Sequence, residues 1–221
     1  MSETVRQRSV FLVDDHPIVR QGLVQLIEQE PDLKVCGEAS DVREARASLS
    51  KGLPDIVILD LSLRDSDGLE LVKDIRAKYG TQLPVLILSM HDESIYAERL
   101  LSAGANGYIM KQAAADQLLA AVRRVLAGGI YVSDRIGDSM IQRFTVSGRA
   151  QRTDPIDRLS NRELQVLNLI GRGKTTREIA ENLNLSVKTV ESHRQRIKKK
   201  LNLHTAPQLV QFAVNWYSGH H

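Results

Sequence analysis

Five polar side chains of three chemical types follow directly after short apolar runs of this sequence. They are the carboxylates of Asp14, Asp15 and Asp60, the hydroxyl of Ser89 and the ammonium of Lys111. Carboxylates that are brought together repel one another unless a cation neutralises them, and hard oxygen ligands favour Mg²⁺. A carboxylate can also attack phosphorus and form an acyl phosphate. These residue types therefore indicate a magnesium site that accepts a phosphoryl group.

Asp60 is the best candidate for the nucleophile, because it stands alone after its apolar run whereas Asp14 and Asp15 are adjacent. That assignment leaves Asp14 and Asp15 as metal ligands. Phosphoryl transfer depends on positioning and charge neutralisation more than on a base. Mg²⁺ and Lys111 would hold the phosphoryl oxygens, and the Ser89 hydroxyl would donate to one of them.

The apolar runs alternate with segments of helical period across the first 130 residues. Strand-like runs lie at 9–13, 33–36, 56–59, 85–88 and 107–110, and helical segments lie at 17–29, 41–51, 67–79, 93–103 and 114–127. This alternation predicts an α/β domain with a five-stranded, doubly wound parallel sheet. Ligands bind outside the carboxyl ends of such strands, so we expect the five polar side chains to converge there.

Residues 8–130 resemble the flavodoxin-like receiver domain of bacterial two-component response regulators. The resemblance rests on Val13-Asp-Asp-His-Pro17, Ile58-Leu-Asp-Leu61, Asp67-Gly68, Leu88-Ser89, Ala103-Gly-Ala-Asn-Gly-Tyr108 and Lys111. It implies that a sensor histidine kinase phosphorylates Asp60 and that the backbone carbonyl of Ser62 ligates Mg²⁺. It also implies that Ser89 and Tyr108 relay the structural change caused by phosphorylation to the face formed by the fourth helix, fifth strand and fifth helix.

The loop after Asp60 departs from the pattern of that family, which usually has Met-Pro where this chain has other residues. Arg64, Asp65 and Asp67 would lie near the pocket, where they could alter kinase recognition and the lifetime of the acyl phosphate. Ser62 also argues against a second interpretation, an aspartate-nucleophile phosphohydrolase. Such enzymes usually carry a second aspartate at that position as the acid and base.

Residues 156–221 form a second module of opposite charge. They carry 11 Lys+Arg and 5 Asp+Glu, a net charge of +6, whereas residues 1–130 carry 15 and 19, a net charge of −4. Helices are predicted near 160–171, 175–183, 186–201 and 205–217, and the first two begin with capping boxes of the form S/T-x-x-E. This small all-α, four-helix module suggests a polyanion as its partner.

The third of these helices is predicted to be amphipathic. Val187, Val190, Ile197 and Leu201 fall within a narrow arc, and the opposite face carries donors and cations. Such a face suits the major groove of DNA, while neighbouring cations bind phosphates. The segments Leu159–Leu167, Thr176–Ala180 and Ser186–Arg194 closely resemble the LuxR-type helix-turn-helix, so that the whole chain resembles the NarL/FixJ subfamily of response regulators.

That resemblance implies base-facing positions, here Lys188, Glu191, Ser192 and Gln195, and a homodimer formed through the last helix. The candidate DNA contacts, from the resemblance and the helix face together, are Thr176, Lys188, Thr189, Ser192, His193, Gln195, Arg196 and Lys199. Since Glu191 and Gln195 are not cationic, the base preferences of the family do not transfer.

Three segments of the chain follow from these assignments: a receiver at 1–130, a linker at 131–155 and a helix-turn-helix domain at 156–221. Within the linker, Ile136, Met140, Ile141 and Phe144 fit one amphipathic helix before a polar stretch.

Apolar runs are far shorter than the ~18 residues that a membrane span needs. The start lacks a signal-peptide pattern, and the single cysteine, Cys36, is expected to be a buried strand thiol. We therefore expect a cytoplasmic bacterial protein with no membrane partner.

The sequence predicts a DNA-binding transcriptional regulator and not a turnover enzyme. Phosphorylation of Asp60 would switch its dimerisation, the release of its helix-turn-helix, or both. The alternative is phosphate-independent DNA binding, with the receiver acting only in dimerisation.

Overall fold

A computed structural model describes residues 7–63, 66–146 and 155–219. The chain divides into two compact units, Met1–Gly148 and Arg149–His221.

The first unit is built on a parallel sheet of five strands. These are β1 (Arg8–Val13), β2 (Leu33–Ala39), β3 (Ile56–Asp60), β6 (Val85–Ser89) and β7 (Gly107–Met110). They lie in the order β2-β1-β3-β6-β7, and every neighbouring pair is parallel. The predicted doubly wound fold is confirmed. Strand β3, which ends at Asp60, occupies the centre of the sheet.

Five helices alternate with these strands: α1 (Pro17–Glu28), α2 (Val42–Leu49), α3 (Gly68–Tyr79), α4 (Glu93–Ser102) and α5 (Ala115–Leu126). Helices α1 and α5 bury Leu23, Ile27 and Val122 in one core with alternate strand residues such as Leu12 and Ile58. Asp41, Asp67 and Asp92 each cap the first turn of a helix with a side-chain carboxylate. The helix starts are thereby fixed close to the positions that the sequence predicts.

A short antiparallel hairpin follows the central strand. It pairs β4 (Ser62–Leu63) with β5 (Ser66–Asp67), while Arg64 and Asp65 lie outside the described residues. A Cβ atom on Gly68 would stand 2.7 Å from the backbone oxygen of Asp60. Only glycine therefore lets the chain return this close to the end of β3, where the site is built.

The chain that leaves α5 stays attached to the edge of the sheet. Tyr131 forms a parallel bridge with Gly107 beside β7, and helix α6 (Asp134–Val146) follows. The buried carboxylate of Glu93, in the first turn of α4, accepts a hydrogen bond of 2.8 Å from the backbone amide of Ser133. This contact ties the start of α6 to the start of α4.

The amphipathic helix predicted for the linker is present as α6, but its apolar residues differ in burial. Ile136 is buried, whereas Ile141 is exposed. The side chain of Phe144 and the polar stretch at 147–154 lie outside the described residues.

The second unit contains four helices after a 3₁₀ turn at Pro155–Arg158. They are α7 (Asn161–Gly171), α8 (Thr176–Asn182), α9 (Val187–Lys200) and α10 (Ala206–Ser218). Helices α7, α8 and α10 begin with complete capping boxes, from Ser160, Thr175 and Thr205. Asn184 adopts φ 50° in the turn between α8 and α9, a left-handed conformation that asparagine tolerates better than most residues.

Helices α7 and α10 of this unit pack closely at one glycine. A Cβ atom on Gly171 would lie 2.6 Å from the backbone oxygen of Ala213 and 2.8 Å from the Cβ of Tyr217. The buried Leu209 and Ala213 of α10 continue this contact along the core.

The prediction of a buried thiol at Cys36 is wrong, because the residue is exposed on the edge strand β2. Lys34 and Glu38 of the same strand are exposed as well, and the Cys36 thiol donates to the Val10 carbonyl at 3.4 Å. Within the described ranges, no helix is both long enough and apolar enough to cross a membrane.

Candidate functional site

The carboxyl edge of the sheet brings together the acidic pocket, by which we mean Asp14, Asp15, Asp60, Ser89 and Lys111. Asp60 ends β3 and Ser89 ends β6, while Asp14 and Lys111 directly follow β1 and β7. The Lys111 Nζ lies 2.6 Å from Asp14 Oδ2 and 2.8 Å from Asp60 Oδ2. Residues that lie 97 positions apart in the chain are therefore in direct contact.

Burial and the neighbouring charges shift the pKa values of Asp60 and Lys111 in opposite directions. Asp60 is only 3% exposed, and burial raises its pKa although the Lys111 ammonium opposes the shift. Burial would lower the pKa of Lys111, but the carboxylates of Asp60 and Asp14 outweigh it and raise that pKa. The pocket thus holds more negative charge than a single ammonium balances.

The donor set fits a hard divalent cation. Asp14, Asp15 and Asp60 each offer a carboxylate oxygen, and these oxygens lie within 4.8 Å of one another. Oxygen ligands alone are the set that Mg²⁺ prefers. His16 also reaches this group, with its Nδ1 2.9 Å from Asp15 Oδ1. It is the N-cap residue of α1 and its side chain is 57% exposed, as expected of a residue at a helix start.

A polar rim lies beside Asp60. The backbone amide of Ser62 donates a hydrogen bond of 3.1 Å to Asp60 Oδ1. The hydroxyl of Ser62 lies 2.6 Å from His91 Nε2. This contact joins β4 to the loop after β6, and sequence reasoning gave no signal for it, because the two residues lie 29 positions apart in separate segments.

A chain of hydrogen bonds runs from Ser89 into the start of α4. The backbone amide of His91 donates to Ser89 Oγ across 3.1 Å, and the fully buried Tyr108 donates its hydroxyl to the His91 carbonyl across 2.8 Å. Burial raises the pKa of the Tyr108 hydroxyl well above its usual range, while a hydrogen bond with Ser89 partly opposes the shift. Ser89 and Tyr108, predicted to act together, are in contact.

The second unit presents a basic face on α9, by which we mean the exposed residues of that helix on the side away from the core. They are Lys188, Glu191, Ser192, Gln195, Arg196 and Lys199. Val190 and Ile197 are fully buried on the opposite side. Thr189 is half-buried on the flank, and Thr176 lies in the first turn of α8.

Two residues of α9 differ in burial from what the sequence predicts. Val187 is 48% exposed, because it opens the helix before the core contacts begin. His193 is half-buried, and its buried Nδ1 has no hydrogen-bond partner among the residues that the structure describes. Positions 190, 193 and 197 are spaced by three and four residues, so the helical period places His193 on the packing side. Burial, together with Arg196, lowers its pKa.

One acidic side chain interrupts the basic face. The Thr176 hydroxyl donates a hydrogen bond of 3.1 Å to Glu191 Oε1, and Arg194 Nε lies 4.0 Å from the same oxygen. Helices α8 and α9 therefore both hold this carboxylate.

Each unit matches a known protein family. Residues 10–123 match the family described as "Response regulator receiver domain", and residues 157–213 match "Bacterial regulatory proteins, luxR family". The oxygen regulatory protein NreC of Staphylococcus aureus (strain JH9) is 36% identical over 208 residues, which cover 93% of this chain and 96% of that protein.

Solved structures of response regulators are also similar to this chain. A two-component response regulator of the LuxR family from Aurantimonas sp. SI85-9A1 is 37% identical and covers 63% of this chain and 99% of its own, with a TM-score of 0.58. RcsB from Salmonella enterica serovar Typhimurium, bound to promoter rprA in the presence of phosphomimetic BeF3-, is 27% identical. It covers 95% of this chain and 99% of its own, with a TM-score of 0.58.

Proposed function

This chain belongs to the response regulators that join a receiver domain to a LuxR-type DNA-binding domain, and we propose that it is a transcriptional regulator controlled by phosphorylation of Asp60. The phosphoryl donor would be a sensor histidine kinase, and the partner of the LuxR-type unit would be double-stranded DNA. The observation that carries the proposal is the contact of Lys111 with both Asp14 and Asp60 at one edge of the sheet.

The chemistry follows from what surrounds Asp60. A carboxylate oxygen of Asp60 attacks the phosphorus of a phosphohistidine, the P–N bond breaks, and the leaving imidazole nitrogen takes up a proton. Mg²⁺ held by Asp14, Asp15, Asp60 and the Ser62 carbonyl would neutralise the charge on the phosphoryl oxygens. Lys111, whose Nζ lies 2.8 Å from Asp60 Oδ2, would pair with one of those oxygens, and the Ser89 hydroxyl would donate to another.

The phosphorylated pocket would act on α4 through Ser89. If the Ser89 hydroxyl turns towards a phosphoryl oxygen, it leaves the His91 amide that donates to it at 3.1 Å. His91 carries the carbonyl that accepts from Tyr108, so both residues would readjust at the start of α4. The changed surface around the start of α4 would then alter dimerisation, release of the helix-turn-helix, or both.

DNA binding is assigned to the basic face of α9 and its flanks. The proposed contacts are Thr176, Lys188, Thr189, Ser192, Gln195, Arg196 and Lys199. His193 is left out because it lies on the packing side of the helix. Two RcsB dimers bind two parallel DNAs in one related structure, which is 27% identical with a TM-score of 0.56. By analogy, this chain would bind paired half-sites as a homodimer.

We place the receiver at residues 1–130, the linker with α6 at 131–155 and the DNA-binding domain at 156–221. The regulator is not a turnover enzyme: it would lose its own acyl phosphate slowly by hydrolysis. We assign it to the bacterial cytoplasm, where DNA and the kinase domain of a sensor are both accessible.

Intact-mass measurement after incubation with acetyl phosphate and Mg²⁺ tests the phosphoacceptor. We expect one phosphoryl adduct on the wild type and none on Asp60→Asn. Asp74→Asn is a matched control, because Asp74 is an exposed carboxylate on α3 that pairs with Arg46 away from the pocket. It should accept the phosphoryl group like the wild type.

A wild type without any adduct, from acetyl phosphate or from a histidine kinase, would exclude Asp60 as a phosphoacceptor. It would favour the alternative in which DNA binding is independent of phosphate. Equal DNA affinity of the phosphorylated and unphosphorylated chain would contradict the proposed switch even if Asp60 carries the adduct.

A further inference from the structure

Glu191 is the only acidic residue of α9, a helix with six cationic ones. The cations are Lys188, Arg194, Arg196, Lys198, Lys199 and Lys200. The side chain of Glu191 is 51% exposed and lies on the basic face, three positions after Lys188 and four before Gln195. A carboxylate at this place requires an explanation, because the rest of the face suits a polyanion.

The carboxylate is held by two helices. Thr176, in the first turn of α8, donates its hydroxyl to Glu191 Oε1 at 3.1 Å, and the guanidinium of Arg194 lies 4.0 Å from that oxygen. A side chain fixed by groups on two helices keeps one orientation better than a free one. Glu191 is therefore a preorganised hydrogen-bond acceptor on an otherwise cationic face.

Such an acceptor weakens binding to DNA in general. Its negative charge opposes the phosphates whatever the base sequence, while the surrounding cations attract them. The loss of DNA affinity is offset only where the base opposite Glu191 offers a hydrogen-bond donor. Glu191 should thus lower affinity for most sequences and spare a few.

The hydrogen-bonding groups of the four bases determine which base Glu191 can contact. A carboxylate accepts hydrogen bonds and donates none. In the major groove, guanine and thymine present acceptors, adenine presents a donor beside the acceptor N7, and cytosine presents its N4 amino donor. Cytosine is the only base whose own major-groove edge offers a donor and no acceptor that would repel the carboxylate.

We infer that Glu191, oriented by Thr176, is a specificity-determining residue that selects cytosine at one position of each half-site. The inference rests on the proposed function, since it requires that α9 enters the major groove. It deepens that function by naming a base that the target sequence must contain.

Selection from random duplex DNA with the full chain, with and without acetyl phosphate and Mg²⁺, tests the inference. The wild type should enrich a motif with cytosine at one position of each half-site. Glu191→Ala should lose about 10-fold of the preference at that position and keep the remainder of the motif. Glu191→Gln should move the preference to adenine, because an amide both donates and accepts.

Two further variants separate base recognition from charge. Thr176→Val keeps the shape of the side chain but removes its hydroxyl, so the preference for cytosine should weaken without moving to another position. Glu181→Ala removes an exposed negative charge from α8, and it should leave every base preference unchanged. Circular dichroism should match the wild type for all these variants, because Glu181 and Glu191 are exposed and valine keeps the shape of the half-buried Thr176.

An unchanged motif for Glu191→Ala would overturn the inference while leaving DNA binding by α9 intact. A wild type that enriches no motif under either condition would overturn the inference and the proposed function together. The two failures are therefore distinguishable.

Discussion

The hydroxyl of Tyr108 donates a hydrogen bond of 2.8 Å to the backbone carbonyl of His91, two residues after Ser89. This bond crosses from β7 to the loop between β6 and α4. It makes the position of that loop depend on a buried side chain of the neighbouring strand.

Tyr108→Phe should lower the free energy of unfolding by about 1 kcal/mol, the net contribution of a typical hydrogen bond. Because the lost bond holds the loop, amide hydrogen exchange at residues 91–95 should accelerate. Tyr79→Phe is a matched control, since Tyr79 donates to the Leu49 carbonyl at 3.1 Å. It should reduce stability to a similar degree without changing exchange at 91–95; equal exchange in both variants would contradict the assignment.

Asp60→Asn should raise the thermal stability of the receiver when no divalent cation is present. The substitution removes a buried carboxylate whose pKa burial has raised, next to the carboxylate of Asp14. It also removes one of the three carboxylate ligands, so that the gain in Tm on adding Mg²⁺ should be smaller than in the wild type. Calorimetry with and without excess Mg²⁺ measures both effects. An equal Mg²⁺ response in wild type and variant would show that Asp60 is no ligand.

Glu93→Ala should loosen the start of α6. The Glu93 carboxylate accepts from the Ser133 amide at 2.8 Å, and hydrogen bonds to charged groups contribute about 1.5 to 3 kcal/mol. We therefore expect amide exchange at Ser133 to rise by about 10-fold or more. Asp138→Ala changes an exposed carboxylate within α6 itself and should leave this amide unaffected. Unaltered exchange in Glu93→Ala would mean that other contacts hold the helix.

Gly171→Ala should destabilise the DNA-binding unit by about 1 to 3 kcal/mol, because the new methyl group would overlap the backbone of α10. Urea unfolding followed by the fluorescence of Trp216, the single tryptophan, reports on this unit. Gly22→Ala should have the opposite effect, since no atom of the described part of the chain lies within 4 Å of its Cβ position on α1. That substitution should stabilise the receiver by about 0.5 to 1 kcal/mol. A stabilising Gly171→Ala would contradict the close approach of α7 and α10.

His193 should make the DNA-binding unit less stable in mild acid. Its pKa is lowered from 6.5 in the folded chain, so the unfolded chain takes up the proton first as the pH falls. Stability is therefore lost as the pH drops through about 6.5, and this contribution should be absent in His193→Phe. Urea unfolding at several pH values, again followed by Trp216, measures the difference in slope. Parallel slopes for wild type and variant would exclude His193 as the titrating group.

The acidic pocket was predictable because its residues are defined by strand ends. Asp60 and Ser89 end apolar runs, and a parallel sheet brings all such ends to one edge. The period of the helices likewise separated Val190 and Ile197 from the exposed cations. The same period places His193 on the packing side, so its position was present in the sequence although the resemblance alone did not show it.

Contacts between loops and between helices could not be predicted in the same way. The pairing of Ser62 with His91 depends on the hairpin after β3, and that of Thr176 with Glu191 depends on how α8 crosses α9. No spacing in the chain encodes either distance. The exposure of Cys36 depends on β2 being an edge strand, which the order of the strands in the chain does not reveal.

The pocket draws on positions 14, 60, 89 and 111, which four different strands carry to one edge. Half a receiver therefore has no pocket, since a chain that ends before Lys111 lacks the ammonium that pairs with Asp60. A chain that is still being synthesised would therefore not accept the phosphoryl group until β7 and Lys111 have joined the sheet. Phosphorylation of Asp60 would therefore be restricted to molecules whose receiver sheet has folded completely.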